Sequence, residues 1–349
     1  MGAKAYLRLA RLQTSGVTAL APVWGFYAAL HDYGGSASWS GFWLGPWSGL
    51  HFPWPLLLFG FCAHVFGFVH NEIADKTVDA KAAYRRPKPI PSGEVSVRGA
   101  WTLALTALAG GLYLAGYVGS LNNPSMIAIP LASVAFAVLY NVHGKNVVGG
   151  DALLAVSIAL LVMAGAAALD GFSTAFSNSA IGIAAMGALI VFFNNAFEGG
   201  FKDHASDKEG GKKTLVLALR ARGEKRESPD GLLVLAQVPV HAAMFVVASF
   251  LVVGPMSAND PLLDALRLAL VAGLTGVMVR IYNRAIAMEE RKAMLARFAR
   301  HEGCALLLLI TPFLFLVELW LIVVWVLVPL VVFVATNKAL FGTLAAPDV

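Results

Sequence analysis

The stretch LLLLITPFLFLVELWLIVVWVLVPLVVFV, from Leu306 to Val334, holds one charged residue, Glu318, in 29 positions. A helix that crosses a hydrocarbon core needs about 20 consecutive apolar residues. The run is therefore long enough to tilt, to kink at Pro312, or to continue past the bilayer. In lipid every backbone N–H and C=O must find its partner within the chain, so the helix is the expected spanning element. The remaining sequence agrees. Of 349 residues, 58% are hydrophobic and 13% charged, with mean hydropathy +0.70; a soluble domain carries about 25% charge.

Working outward from that run, nine spans are expected, near 13–30, 54–71, 99–119, 125–141, 147–169, 179–198, 231–253, 262–283 and 303–334. The fold class is an all-α polytopic membrane protein. About nine transmembrane helices form a bundle within a single domain, 1–349, that carries two Asp-rich cytoplasmic loops at 71–98 and 198–230. The segment Met1 to Arg11 is basic but shows no small-residue cleavage site after a short apolar run, so no signal peptide is expected. Cys62 and Cys304 both lie in apolar segments and read as buried thiols without a disulfide or a metal.

The basic residues orient the spans. With nine crossings, 24 of the 26 Lys and Arg fall on one side, and only Arg267 and Lys338 fall on the other. Under the positive-inside rule that side, with the N-terminus, is cytoplasmic. The charge also suits anionic substrates or lipid headgroups. The basic residues are scattered over separate membrane-edge segments, which argues against nucleic acid as a partner. The external loop 31–53 carries Trp39, Trp43 and Trp47, residues that favour the bilayer interface as anchors.

Two segments carry the chemistry. The first reads Asn71-Glu72-Ile73-Ala74-Asp75-Lys76-Thr77-Val78-Asp79 and continues through Arg85-Arg86-Pro87-Lys88-Pro89-Ile90-Pro91-Ser92-Gly93. The second reads Glu198-Gly199-Gly200-Phe201-Lys202-Asp203-His204-Ala205-Ser206-Asp207 and continues to Gly211-Lys212-Lys213-Thr214-Leu215. Asp75 and Asp203 are 128 positions apart, as are Asp79 and Asp207, four spans later. Such matched placement suggests a duplicated four-helix unit. Asn71, Asp75 and Asp79 share one face if the helix continues past the span. Stacked carboxylates repel unless a cation sits between them. Mg²⁺ prefers hard oxygen and is held by one or two carboxylates plus substrate phosphates. Two such clusters facing each other would grip a diphosphate, with Arg85, Arg86, Lys88, Lys212 and Lys213 binding further phosphate oxygens. The competing reading makes these residues a solvated rim of membrane helices. Two matched sets, each trailed by basic residues and Gly, favour function.

Asn71 to Gly93 resembles the UbiA superfamily of intramembrane prenyltransferases. It matches the family motif Asn-Asp-x-x-Asp-x-x-x-Asp with Glu72 in the second place, and the Arg-Pro-x-Pro-Ser-Gly tail with Lys88 in the Arg place. Asp203 to Leu215 looks like the second Asp-x-x-x-Asp motif with its Gly-x-x-Thr-Leu tail. Tyr140 to Asp151 resembles a third element, a Tyr and a Lys before a Gly-rich helix start. There are departures. Gly199 stands where the family often has an acid, four before Asp203, which makes Glu198 or Asn195 the candidate substitute oxygen. Tyr140 and Lys145 are five apart rather than four. Lys88 lacks the bidentate fork of Arg.

The resemblance implies Mg²⁺-dependent transfer of an isoprenyl chain from a polyprenyl diphosphate to a membrane-associated acceptor, an aromatic or quinone precursor or a glycerol-phosphate ether lipid. Two Mg²⁺ ions are implied. Asn71, Asp75 and Asp79 would hold one, Asp203 and Asp207 the other. Arg86 and Lys145 would assist catalysis. Tyr140, Arg85, Lys88, Lys212 and Lys213 would contact the diphosphate, with His204 as a further candidate. The alternative is a cyclase of the same fold that needs no acceptor. An ion-coupled transporter is disfavoured, because its carboxylates belong at midplane on broken helices, away from repelling Lys and Arg.

Other polar residues read as structural. His64 and His70, six apart, do not share a face and suit helix packing. Asp151 starts a helix, where a carboxylate is favoured. Glu318 is expected inside the last span, where a carboxylate is a functional candidate. Residues 291–300 read as an interfacial helix, because the basic positions flank Met294, Leu295 and Phe298.

The expected topology is testable by labelling. In a background lacking Cys62 and Cys304, an impermeant thiol reagent applied outside should label Ser38→Cys and spare Ser206→Cys. Labelling of both from one side is the result that breaks the nine-span arrangement.

Overall fold

The computed structural model describes residues 2–33, 53–81, 88–119, 123–224 and 230–342. The Trp-rich segment and the expected phosphate ligands Arg85 and Arg86 lie outside them. Every regular element among the described residues is helical. In chain order these are α1 (Ala3–Leu9), α2 (Ser15–Asp32), α3 (Trp54–Lys81), α4 (Val97–Val118), α5 (Ser125–His143) and α6 (Asp151–Asp170). After a short turn come α7 (Asn178–Phe193), a π-helical segment Asn194–Gly199, α8 (Gly200–Glu209) and α9 (Leu215–Glu224). The chain ends with α10 (Gly231–Val253), α11 (Pro261–Ile286), α12 (Arg291–Ile310) and α13 (Leu319–Phe341).

Eight helices of the described residues are long and apolar enough to cross a membrane: Trp54–Ala80, Val97–Val118, Ser125–Asn146, Asp151–Asp170, Asn178–Glu209, Gly231–Val253, Pro261–Ile286 and Leu319–Phe341. Seven of them match expected spans, and the eighth, Leu319–Phe341, overlaps only the second half of the expected span 303–334. The first expected span forms α2, whose Ala19–Leu30 stretch is buried throughout, but it is less apolar than the others.

The chain divides into two compact units. The first comprises Met1–Asn141, Leu160–Ile181 and Val323–Val349; the second comprises Val142–Ala159 and Gly182–Ile322. In the first unit α3 packs between α2 and α4. Glycine lets α2 and α6 touch backbone to backbone: a Cβ on Gly25 would stand 1.8 Å from the Val162 carbonyl oxygen, and one on Gly165 1.8 Å from that of Pro22. Small residues at helix crossings serve this purpose in membranes, where packing rather than water exclusion drives association. Helix starts are fixed locally. Ser96 Oγ accepts from Gly99 N at 3.1 Å to open α4. In the second unit Asp260 Oδ1 accepts from Leu262 N and Leu263 N at 2.9 and 3.2 Å, ahead of Pro261 at the first turn of α11.

The structure corrects one span. The expected helix 303–334 is broken: α12 ends at Ile310, Thr311–Phe313 is a 3₁₀ turn, and α13 starts only at Leu319. Pro312 has no N–H to continue the ladder, and carbonyls freed at the break need donors. Arg267, 1% exposed, supplies them. Its Nη2 donates to the Pro312 carbonyl and, at 2.7 Å, to Met256 O, while Nη1 donates to Asp264 Oδ1 at 2.8 Å. Glu318 is consequently exposed before α13, beside Trp320 Nε1, and not inside a span. The 291–300 stretch is the first half of the 20-residue α12, with Met294 and Phe298 buried.

Gly25→Val should destabilise the protein by about 3 kcal/mol through the forced clash. Gly67→Ala, where a Cβ meets open space, should change stability by no more than about 1 kcal/mol. Thermal melting in detergent measures both.

Candidate active site

In the first unit, α3 runs unbroken from Trp54 to Lys81 and carries the first motif as helix rather than loop. Asn71, Asp75 and Asp79 therefore do line one face. Asp75 is 5% and Asp79 0% exposed, and Asn71 is partly exposed. The Pro-rich tail after them folds back as a tight turn. Ser92 N donates to Lys88 O at 3.0 Å and Val95 N to Pro89 O at 2.9 Å, and Gly93 takes φ +78°, which only glycine adopts without strain.

That turn delivers Lys88 to the motif. Its Nζ lies 2.8 Å from Asp79 Oδ2 and 3.0 Å from Glu72 Oε1. Glu72 also receives Arg11 Nη2 at 2.7 Å. The result is a chain of four charges, Arg11–Glu72–Lys88–Asp79. A carboxylate at this depth is costly unless paired and hydrogen-bonded, and the two cations meet that cost. Glu72, the departure at the second motif position, is thus the residue that aims Lys88 at Asp79. Sequence reading assigned Arg11 only an orienting charge. Its partnership with Glu72, 61 residues away, has no signal in spacing.

The histidines of α3 have packing roles, as expected. His64 Nε2 lies 3.1 and 3.2 Å from Ala10 O and Arg11 O, at the carboxyl end of α1. His70 stacks on Phe66 and contacts Asn141 Nδ2 at 3.0 Å. Tyr140, 8% exposed, ends the α5 face of this unit.

In the second unit, α8 carries Asp203, partly exposed, and Asp207, 5% exposed, one turn apart. Gly211, at φ +66°, closes α8: Gly210 N bonds to Ser206 O at 2.8 Å and Lys212 N to Asp207 O at 2.8 Å. This cap holds Lys212 beside the last turn of the motif. Lys213 N then donates to Lys145 O at 2.9 Å, which joins the third sequence element to the second motif. Lys145 sits in a 3₁₀ turn, Gly144–Asn146, just before α6 starts at Asp151. His204 Nδ1 lies 3.1 Å from Phe201 O on its own helix. Of the two candidates for the oxygen missing at Gly199, Asn195 turns its amide to Val191 O at 2.9 Å. Glu198 is 3% exposed and faces His301, with Oε1 2.9 Å from Nδ1.

Sequence reading gave no role to His301 or to His241, which lie in α12 and α10. Each is an ionisable residue in or beside an apolar run, and that signal alone marks a candidate.

No three His, Cys, Asp or Glu side chains among the described residues form a closed metal cage. Asp75 and Asp79 with Asn71 offer two carboxylates and an amide, all hard oxygen donors on one face. That donor set fits Mg²⁺, which completes its shell with water and phosphate.

The UbiA prenyltransferase family model matches residues 48–301, and the chain belongs to that family, whose general activity is prenyl transfer. Its relatives in structure agree in fold. A UbiA homologue from Aeropyrum pernix K1 is 18% identical and superposes with TM-score 0.59, over 86% of this chain and 96% of that one. A UbiA homologue from Archaeoglobus fulgidus, bound to GPP and Mg²⁺, is 17% identical, with TM-score 0.55 over 90% and 100%. A digeranylgeranylglyceryl phosphate synthase is 15% identical, with TM-score 0.54 over 89% and 97%. No curated protein matches the sequence. The chain is an integral, multi-pass membrane protein of this family.

Glu72→Ala removes the anion that both Arg11 and Lys88 pair with. It should cost about 3 kcal/mol, the lower end for an interior ion pair that loses one partner. Chemical denaturation in detergent measures the loss. A neutral effect would show that Arg11 and Lys88 do not depend on Glu72.

Proposed function

We propose that this protein transfers an isoprenyl chain from a polyprenyl diphosphate to a membrane-associated acceptor, releasing diphosphate on the cytoplasmic side. The observation that carries the reading is the face of α3 on which Asn71, Asp75 and Asp79 align, with Lys88 held against Asp79. Family membership and the A. fulgidus homologue bound to GPP and Mg²⁺ support it.

In this reading Asn71, Asp75 and Asp79 hold one Mg²⁺ and Asp203 with Asp207 a second. The metal supplies charge neutralisation for the departing diphosphate. Lys88 adds a cation on the same side, and Arg85, Arg86, Lys145, Lys212 and Lys213 add further positive charge; Tyr140 offers a hydroxyl. Positive charge placed where negative charge develops lowers the barrier to C–O cleavage. Apolar helix walls keep water from the allylic carbon until the acceptor's carbon or oxygen bonds to it. Acceptor identity and chain length depend on the shape of the apolar interior. Product analysis with and without candidate acceptors separates intermolecular transfer from cyclisation.

Asp75→Ala, Asp79→Ala and Asp203→Ala should each lower turnover at least about a hundredfold while leaving the protein folded in membranes. EDTA should inhibit and Mg²⁺ restore. Radiolabelled prenyl transfer in proteoliposomes is the measurement, and a variant that keeps most of its activity at saturating Mg²⁺ removes that residue from the site.

A further inference from the structure

The second unit contains a chain of three buried ionisable groups that the prenyl-transfer reading does not use. Glu198, His301 and His241 are 3%, 0% and 1% exposed. They come from three elements: the π segment, α12 and α10. Glu198 Oε1 lies 2.9 Å from His301 Nδ1, at ion-pair distance though off the hydrogen-bond line. His301 Nε2 lies 2.9 Å from His241 Nε2. His241 Nδ1 lies 3.1 Å from Gln237 O. Aromatic rings enclose the chain: Phe193 stacks on His301 with centroids 4.7 Å apart and meets His241 edge-on at 4.5 Å. Tyr282 also packs against Phe193.

The proton count follows from the partners. A carbonyl only accepts, so His241 Nδ1 carries the hydrogen that faces Gln237 O. Neutral His241 then presents a lone pair at Nε2. His301 Nε2 faces it and must carry a hydrogen, or two lone pairs would meet at 2.9 Å. Neutral His301 would then have no hydrogen at Nδ1, and at 2.9 Å an ionised Glu198 oxygen would be repelled by that nitrogen; one further proton, on either residue, removes the repulsion. If His241 is the imidazolium instead, His301 carries its hydrogen at Nδ1, on the side of ionised Glu198, and the total is the same. Every arrangement without facing lone pairs holds one proton more than two neutral imidazoles and a carboxylate.

The chain grips the helix at a particular place. Gly200 N–H bonds to Asn195 O, five residues back, which widens the turn before α8 into a π-helix. Such turns cluster at functional sites. One extra residue in a turn rotates everything after it by about 100°, so the position of the π turn sets the direction in which Asp203 and Asp207 project. Within electrostatic reach of the chain are Lys202 on Glu198's own helix, Glu302 on α12 and Tyr282 on α11, with Asp230 acting on Tyr282. Arg291 of α12 donates to Lys202 O at 2.8 Å.

We infer that Glu198, His301 and His241 are positioning residues: a one-proton clasp that pins the π turn and thereby aims Asp203 and Asp207. The inference rests on the proposal that those two carboxylates hold Mg²⁺. The clasp is intact while its shared proton is bound. The stability it contributes is therefore present at lower pH and lost as pH rises through release of that proton. Activity falls on the same alkaline limb.

His241→Gln tests the count. An amide offers a donor to His301 Nε2, so His301 can carry its hydrogen at Nδ1, beside ionised Glu198, with no extra proton. The variant should keep wild-type activity at the optimum and lose the alkaline fall, in turnover and in melting temperature measured in detergent. Glu198→Ala should stay folded but turn over about tenfold more slowly, as supporting residues around a metal site do, and need more Mg²⁺ for half-maximal rate. An alkaline limb that is the same in His241→Gln and wild type, in both measurements, overturns the clasp. Wild-type Mg²⁺ dependence in a folded Glu198→Ala protein overturns its positioning role. Melting does not depend on prenyl transfer: a pH effect on melting that His241→Gln abolishes, in a protein without transferase activity, supports the clasp and sinks the functional reading instead.

Discussion

A carboxylate withdrawn from water must have a cation or a proton beside it. That constraint shapes both chemistry-bearing regions. On α3 it is met by cations: Lys88 bridges Glu72 and Asp79, and Arg11 meets the same Glu72 oxygen, Oε1, that Lys88 does. At the π segment it is met by a histidine pair around Glu198. The difference follows from where basic residues are available. The tail of the first motif is rich in Lys and Arg, whereas α12 brings the His301 imidazole to Glu198 and α10 sets His241 behind it.

The same logic explains Arg267. A buried guanidinium needs acceptors as a buried carboxylate needs donors, and the break at Pro312 provides the carbonyls of Thr311 and Pro312. The arginine and the broken helix are two halves of one arrangement. Neither would be stable in an apolar interior without the other.

Membership of the UbiA prenyltransferase family places the departures in a useful light. Glu for Asp at position 72 adds one methylene, and the longer side chain is the one that reaches both Arg11 and Lys88. Lys for Arg at position 88 gives up a planar fork but provides a compact charge that fits between two carboxylates. The two substitutions make contact with each other, and read separately along the chain they look unrelated.

The sequence by itself determined the fold class, seven of the spans and the shared face of Asn71, Asp75 and Asp79, because hydropathy and helical periodicity are local properties of consecutive residues. It also marked Lys88, as one of the basic residues that trail the first motif. It was silent on which partner each buried charge would choose. Arg11 with Glu72, Glu198 with His301 and His301 with His241 join positions 60 to 103 residues apart, and no spacing rule connects them. It also overstated the last span, because an apolar run of 29 residues reads as one helix until a distant arginine binds the carbonyls of Thr311 and Pro312. Contacts of that range exist only once helices have packed, so the tertiary structure alone decided them.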